Sequence, residues 1–206
     1  MNKKSILLIA AFLTITFASF SQIEKKDILI GGTFGFNTGS QSENSNNSNA
    51  NINPRIGYAI GTNSVLSARF GFGYSNSKNE NLDYRFRAHS FSTGLSWKKF
   101  FSFNDKLGWY TDVYSAYNFS SSKWWNTSSS STPNETTSKG FSAGIAPGIY
   151  FTPVKGMIIS ADIGGVGYNY SRSKDLSSGS RQSGISANFL NSFNFGMDFI
   201  INKKKK

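Results

Sequence analysis

From Ile28 onward the chain alternates. Large apolar and aromatic residues fall on every second position, with small or polar residues between them, in eight successive segments. A period of two is the mark of a β-strand with one apolar face. The segments are DILIGGTFGFN, NINPRIGYAIG, VLSARFGFGYS, RFRAHSFSTGLSW, LGWYTDVYSAYNF, GFSAGIAPGIYF, MIISADIGGVGYNY and the closing NFLNSFNFGMDFI. Ile28, Ile30, Phe34 and Phe36 share a face in the first, and Phe189, Phe193, Phe195, Met197 and Phe199 in the last. The seventh slips phase near Gly164–Gly165, which predicts a bulge. Pro147 lacks the N–H that a central strand needs, so the sixth is expected to break its ladder there.

The connections are sorted by length. Residues 39–50, 75–83, 121–138 and 171–182 form long linkers rich in Ser, Asn and Thr, whereas Gly61–Ser64, Phe100–Lys106 and Pro153–Gly156 are short. Long and short linkers in alternation place all long loops at one end and all short turns at the other. A barrel threaded through a membrane has this asymmetry. The face opposite the apolar one carries Gly31, Thr33, Gly35, Gly57, Ser67, Gly71, Ser92, Gly94 and Asn194. Small polar residues of this kind fill the narrow lumen of a small barrel. Alternation alone also suits a water-soluble sandwich or lipocalin-like barrel, which would bury the Phe/Ile face instead.

Eight strands, the sorted connections and an export signal at the N-terminus together favour the membrane barrel over a soluble exported one. Asn2, Lys3 and Lys4 precede an apolar run from Ile6 to Phe20, and small residues flank a cleavage point between Ser21 and Gln22. That is the layout of a secretory signal peptide. The expected organisation is a leader over 1–21, one all-β domain over 22–202 forming an eight-stranded antiparallel up-and-down transmembrane β-barrel, and a basic tail over 203–206. The chain has 206 residues and no cysteine, which excludes disulfides and thiol chemistry. After the leader no stretch is apolar enough for a membrane helix.

The opening ILIGGTFGFN, the closing FNFGMDFI and the leader ending before Gln22 resemble the small eight-stranded outer-membrane β-barrels of the OmpA/OmpX type, in the form common in Bacteroidota. The resemblance covers essentially all of the chain after the leader. It implies residence in the outer membrane with both termini periplasmic. It also implies contact with phospholipid and lipopolysaccharide, and handling by the barrel-insertion machinery. Closing strands of this type end on an aromatic residue; Phe199 fits, and Ile200 to Lys206 extend past it.

Four charges lie on the lumen parity at similar depth: Arg55, Arg69, Asp112 and Asp162. Two of each sign in one layer are expected to neutralise each other as a hydrogen-bonded plug, because isolated charges there would be costly. Tyr110 and Tyr114 share that parity. An ion path is the alternative. His89 is the single histidine, and Ser90 beside it points to the other face of a strand, so the two do not form a catalytic pair. Some barrels of this size are lipid A acyltransferases, and His89 with Asp83 near the outer end of the fourth strand leaves that reading as the enzymatic rival. No metal-ligand spacing and no cofactor motif is present.

Trp124 and Trp125 are expected at the outer aromatic girdle or stacked on sugar rings, and Arg85 and Arg87 against surface-lipid phosphates. The net charge is +11, or +9 once Lys3 and Lys4 leave with the leader. Most of the excess is assigned to a basic rim at the short-turn end: Lys25, Lys26, Lys98, Lys99, Lys106, Lys155 and Lys203, Lys204, Lys205 and Lys206. Such a rim suits anionic headgroups at the periplasmic face. Export argues against nucleic acid as the partner. The expected role is non-enzymatic: envelope integrity, surface contact, or accessory duty beside other outer-membrane proteins.

Overall fold

The structure, a computed structural model, describes residues 23–42, 45–79, 84–126, 134–174 and 179–201. The expected leader, its cleavage point, Asp83 and the tail Lys203–Lys206 lie outside the described residues. The described chain is antiparallel sheet: β1 (Ile28–Ser42), β2 (Ser45–Gly61), β3 (Ser64–Asn79), β4 (Tyr84–Ser102), β5 (Leu107–Asn126), β6 (Asn134–Phe151), β7 (Met157–Lys174) and β8 (Gly179–Ile201). Each strand pairs with its neighbour in sequence, and β1 returns to pair with β8, which closes the sheet into a barrel.

The closure is uneven. Strands β4 and β5 pair along their whole length, from Tyr84↔Asn126 to Ser102↔Gly108. Between β1 and β8 the pairing runs only from Ile28↔Ile201 to Phe34↔Phe195. Both irregularities read from the sequence coincide with breaks in register. The β6–β7 ladder shifts between Ile145 and Gly148, around Pro147, and the β7–β8 ladder shifts between Asp162 and Gly164. Gly164 has a φ of 109°, a backbone that glycine adopts without a Cβ penalty.

The expected long loops require a correction. Most of residues 39–50, 75–83, 121–138 and 171–182 continue the strands, so the hairpins stand well beyond the length needed to cross a bilayer. Their serines and asparagines are compatible with strand because they bond across the ladder on the inner face. Ser75 Oγ donates to Asn49 Oδ1 at 2.5 Å, and Ser77 Oγ donates to Asn47 Oδ1 at 3.0 Å. At the other end the connections are short, and Phe100 to Ser102 belong to β4 rather than to the turn.

Burial is inverted relative to a water-soluble protein. Phe36 is 71% exposed and Leu95 57%, whereas Asp112 is 3% exposed and Asp198 1%. Through the middle of the barrel wall apolar side chains face out and the charges face in. On β5 the outward aromatics Trp109 and Phe119 are ten residues apart. At about 3.4 Å per residue and a tilt near 40–45° that is roughly 25 Å of height, the thickness of an outer-membrane apolar band. Phe101 stacks on Trp109 at 4.2 Å at the short-turn edge of the band.

Candidate functional site: the lumen and the outer wall

The lumen is built in three layers. The floor, at the short-turn end, is apolar: Ile23, Leu29, Val65, Phe100, Tyr110, Tyr150 and Ile158 are buried together. Ile23 comes from the segment before β1, which folds under the barrel. Asn63 N donates to Ile23 O, Lys26 N to Ala59 O, and Ala59 N to Asp27 O, at 2.8–3.2 Å. Phe100 meets Tyr150 edge-on at 5.2 Å, and Ser102 Oγ bonds Tyr150 Oη at 2.7 Å.

Above the floor lies a layer of charge. Arg55 binds Asp198 through two parallel bonds, Nε to Oδ1 at 2.7 Å and Nη2 to Oδ2. The pair is bidentate, the strongest geometry for a guanidinium and a carboxylate. The two residues flank Gly31 on opposite sides, since Gly31 registers with Arg55 on β2 and with Asp198 on β8. A Cβ at Gly31 would strike Asp198 Oδ1 and Met197 O, so the glycine leaves the passage through which the arginine reaches across β1. Arg69 lies 3.5 Å and Lys98 3.9 Å from Asp112 Oδ2. Tyr110 Oη donates to Asp162 Oδ1 at 2.5 Å. Lys98 Nζ sits 4.0 Å from the centre of the Tyr110 ring, which offers it a negative face.

The four charges expected in the lumen are therefore inside, but they do not pair among themselves alone. Arg69 and Asp112 meet; Arg55 pairs with Asp198, and Asp162 with Tyr110. Lys98 is a correction. The sequence pattern places it on the basic rim, yet its side chain is 5% exposed and faces the lumen. The lysine doublet suggests a turn, but β4 runs four residues further, and the parity of Thr93, Leu95 and Trp97 as outward residues already puts Lys98 inside. With Lys98 and Asp198 included, the layer holds Arg55, Arg69 and Lys98 against Asp112, Asp162 and Asp198 and is neutral. The remaining described rim lysines, Lys25, Lys26, Lys99, Lys106 and Lys155, lie at the short-turn end, where Lys99 Nζ donates to Thr62 O at 3.1 Å.

The third layer is a polar vestibule toward the long-loop end. Arg69 stands at its base beside Tyr114, 5.5 Å from the ring centre. Hydroxyls and amides line the walls, with Asn118 Nδ2 donating to Ser142 Oγ at 3.0 Å and Asn169 Nδ2 to Ser186 Oγ at 3.3 Å.

On the outside, the tryptophan doublet is split. Trp124 lies on the inward parity with its ring 6.4 Å from that of Tyr84, and Trp125 lies on the outward parity under Arg87, 5.5 Å from its guanidinium. The two rings do not form a joint stacking platform. Arg85 and Arg87 both take the outward parity at the long-loop end. His89 faces outward against Tyr74 at 5.2 Å, and Ser90 lines the vestibule. Among the described residues no group of His, Cys, Asp or Glu is placed to hold a metal ion.

No protein-family model matches the chain, and no curated protein matches it. Solved structures do. A major outer membrane protein from Thermus thermophilus aligns with a TM-score of 0.53 at 12% identity, over 85% of this chain and 98% of that one. The fold is that of an outer-membrane β-barrel. The translocator domain of the autotransporter NalP from Neisseria meningitidis aligns at 0.48 and 14% identity, over 89% of this chain and 63% of that one. Neisserial surface protein A aligns at 0.38 and 18% identity, over 84% and 96%.

Proposed function

We propose that this chain is a non-enzymatic outer-membrane protein: an eight-stranded transmembrane barrel with a closed lumen, exported through a cleaved leader, with both termini in the periplasm. Its work would lie in envelope integrity, surface contact or support of a larger outer-membrane complex. The observation that carries this reading is the lumen. An apolar floor tied to the N-terminal segment and a neutral layer of six charges stand one above the other across the bore. An eight-stranded interior has room for side chains and little else. The short-turn lysines support the orientation, since they suit a periplasmic anionic surface. The enzymatic alternative draws no support from His89 and Ser90, which take opposite faces of β4.

The test is electrical. Reconstituted into a planar bilayer, the purified barrel gives no steady conductance. Stable openings of a single size would overturn the closed-lumen reading.

A further inference from the structure

The outer wall at the long-loop end carries a second pattern. A tier of outward aromatics, Tyr74, Phe91, Phe119, Phe141 and Tyr170, is exposed by 37–44%. Basic residues begin in the same row and continue upward. Lys139 sits directly across from Phe119, and His89 across from Tyr74. Along β7 the order is Tyr170, Arg172, Lys174, all on the outward parity.

These cations oppose one another in register. Lys78 pairs with Arg85, Arg87 with Lys123, Lys139 with Arg172, and Arg172 with Arg181. Like charges directly across a ladder are destabilising. Around Arg87–Lys123, Lys139–Arg172 and Arg172–Arg181 the wall gathers positive charge in excess of the carboxylates described beside it. Among the described residues Glu135 is the single carboxylate in this half of the barrel, bound to Lys123 at 3.3 Å and to Ser121 Oγ at 3.1 Å. Glu43, Glu80, Asp83 and Asp175 fall in connections outside the described residues. The Lys123–Glu135 bridge divides the arc in two, with Lys78, Arg85 and Arg87 on one side and Lys139, Arg172 and Arg181 on the other. The first has a pocket of about 310 Å³ lined by Arg87, His89, Ser121, Lys123 and Trp125. The arc is one-sided: the outward positions of β2 at this height are Ala50, Ser48 and Asn46, all neutral.

We infer that this arc is a binding site for phosphate-bearing headgroups of the membrane lipid on the long-loop side, with acyl chains lying on the aromatic tier below. Guanidinium groups take phosphate oxygens in pairs, and Arg87 lies over the Trp125 ring beside Lys123 on this wall. The lipid source follows from continuity, since the basic tier starts where the apolar band ends. The inference rests on the membrane-embedded reading above.

The test uses full-length protein in phosphatidylcholine vesicles, with spin-labelled phosphatidic acid or spin-labelled phosphatidylcholine as the probe. Lipid at the barrel wall appears as a motionally restricted component. The parent protein prefers phosphatidic acid, by about fivefold for each basic residue engaged. The variant Arg85→Gln, Arg87→Gln, Lys139→Gln, Arg172→Gln loses most of that preference while the restricted component persists. A short-turn variant, Lys25→Gln, Lys106→Gln, Lys155→Gln, keeps most of it. An unchanged preference in the first variant, or equal loss in both, overturns the inference and leaves the membrane reading standing. Absence of any restricted lipid overturns both. Soluble tripolyphosphate that abolishes the preference at equal phosphate concentration identifies a free polyanion site, and that too overturns the assignment to lipid.

Discussion

Removing one partner of the Arg55–Asp198 pair should damage the barrel far more than removing both. The side chains are 8% and 2% exposed, and each is the other's bidentate partner. Asp198→Asn keeps the shape and takes away the charge, leaving a guanidinium buried without its counter-ion. Breaking such a pair costs about 3–5 kcal/mol. That is a factor of roughly 10² to several 10³ in the folding equilibrium. Arg55→Met combined with Asp198→Leu removes both charges and keeps apolar bulk, and the double variant should lie within about 1 kcal/mol of the parent. Gly31→Val should reproduce the single-variant damage by sterics, because its Cβ meets Asp198. The assay is urea unfolding in lipid vesicles, followed by tryptophan fluorescence. A single variant within about 0.5 kcal/mol of the parent would refute the reasoning. So would a double variant as unstable as the sum of the two singles, since coupled neighbours should not add.

Two further outcomes are expected. Gly148→Val places its Cβ against the Tyr110 ring, which is fully buried, and should destabilise by about 1–3 kcal/mol in the same unfolding assay. His89→Ala should leave the acylation of the surface lipid unchanged by mass spectrometry, and a changed acyl pattern would revive the enzymatic reading.

The period of two carries most of the fold. It places eight strands in order, turns their aromatic faces outward, and marks the irregularities at Pro147 and Gly164. Strand ends are harder to read. Ser, Asn and Thr runs look like loop, because in soluble proteins these residues satisfy the backbone locally. Here Ser75, Ser77, Asn47 and Asn49 satisfy one another across a ladder, a long-range fact that composition does not carry. The lumen is legible as a face but not as a set of partners. Parity puts Arg55 and Asp198 inside, yet their pairing depends on which strand closes onto β1 and on the gap at Gly31. Lys98 is misplaced from sequence because a lysine doublet outweighs its own parity. Ile23 gives no periodic signal, since it lies before the first strand and becomes part of the floor only through turn-to-segment hydrogen bonds.

The short pairing between β1 and β8 bears on the order of events in assembly. Seven of the eight strand interfaces join neighbours along the chain, and these can form as soon as each hairpin is made. The eighth brings Ile28 to Ile201, and contacts between such distant residues form slowly. Arg55 and Asp198 stand on either side of that junction, one on β2 and one on β8. Their bond therefore cannot exist in an open sheet and arises only when the first strand meets the last. A barrel whose strongest buried contact waits for the final step gains little from partial closure, so the transition from open sheet to closed wall should be abrupt.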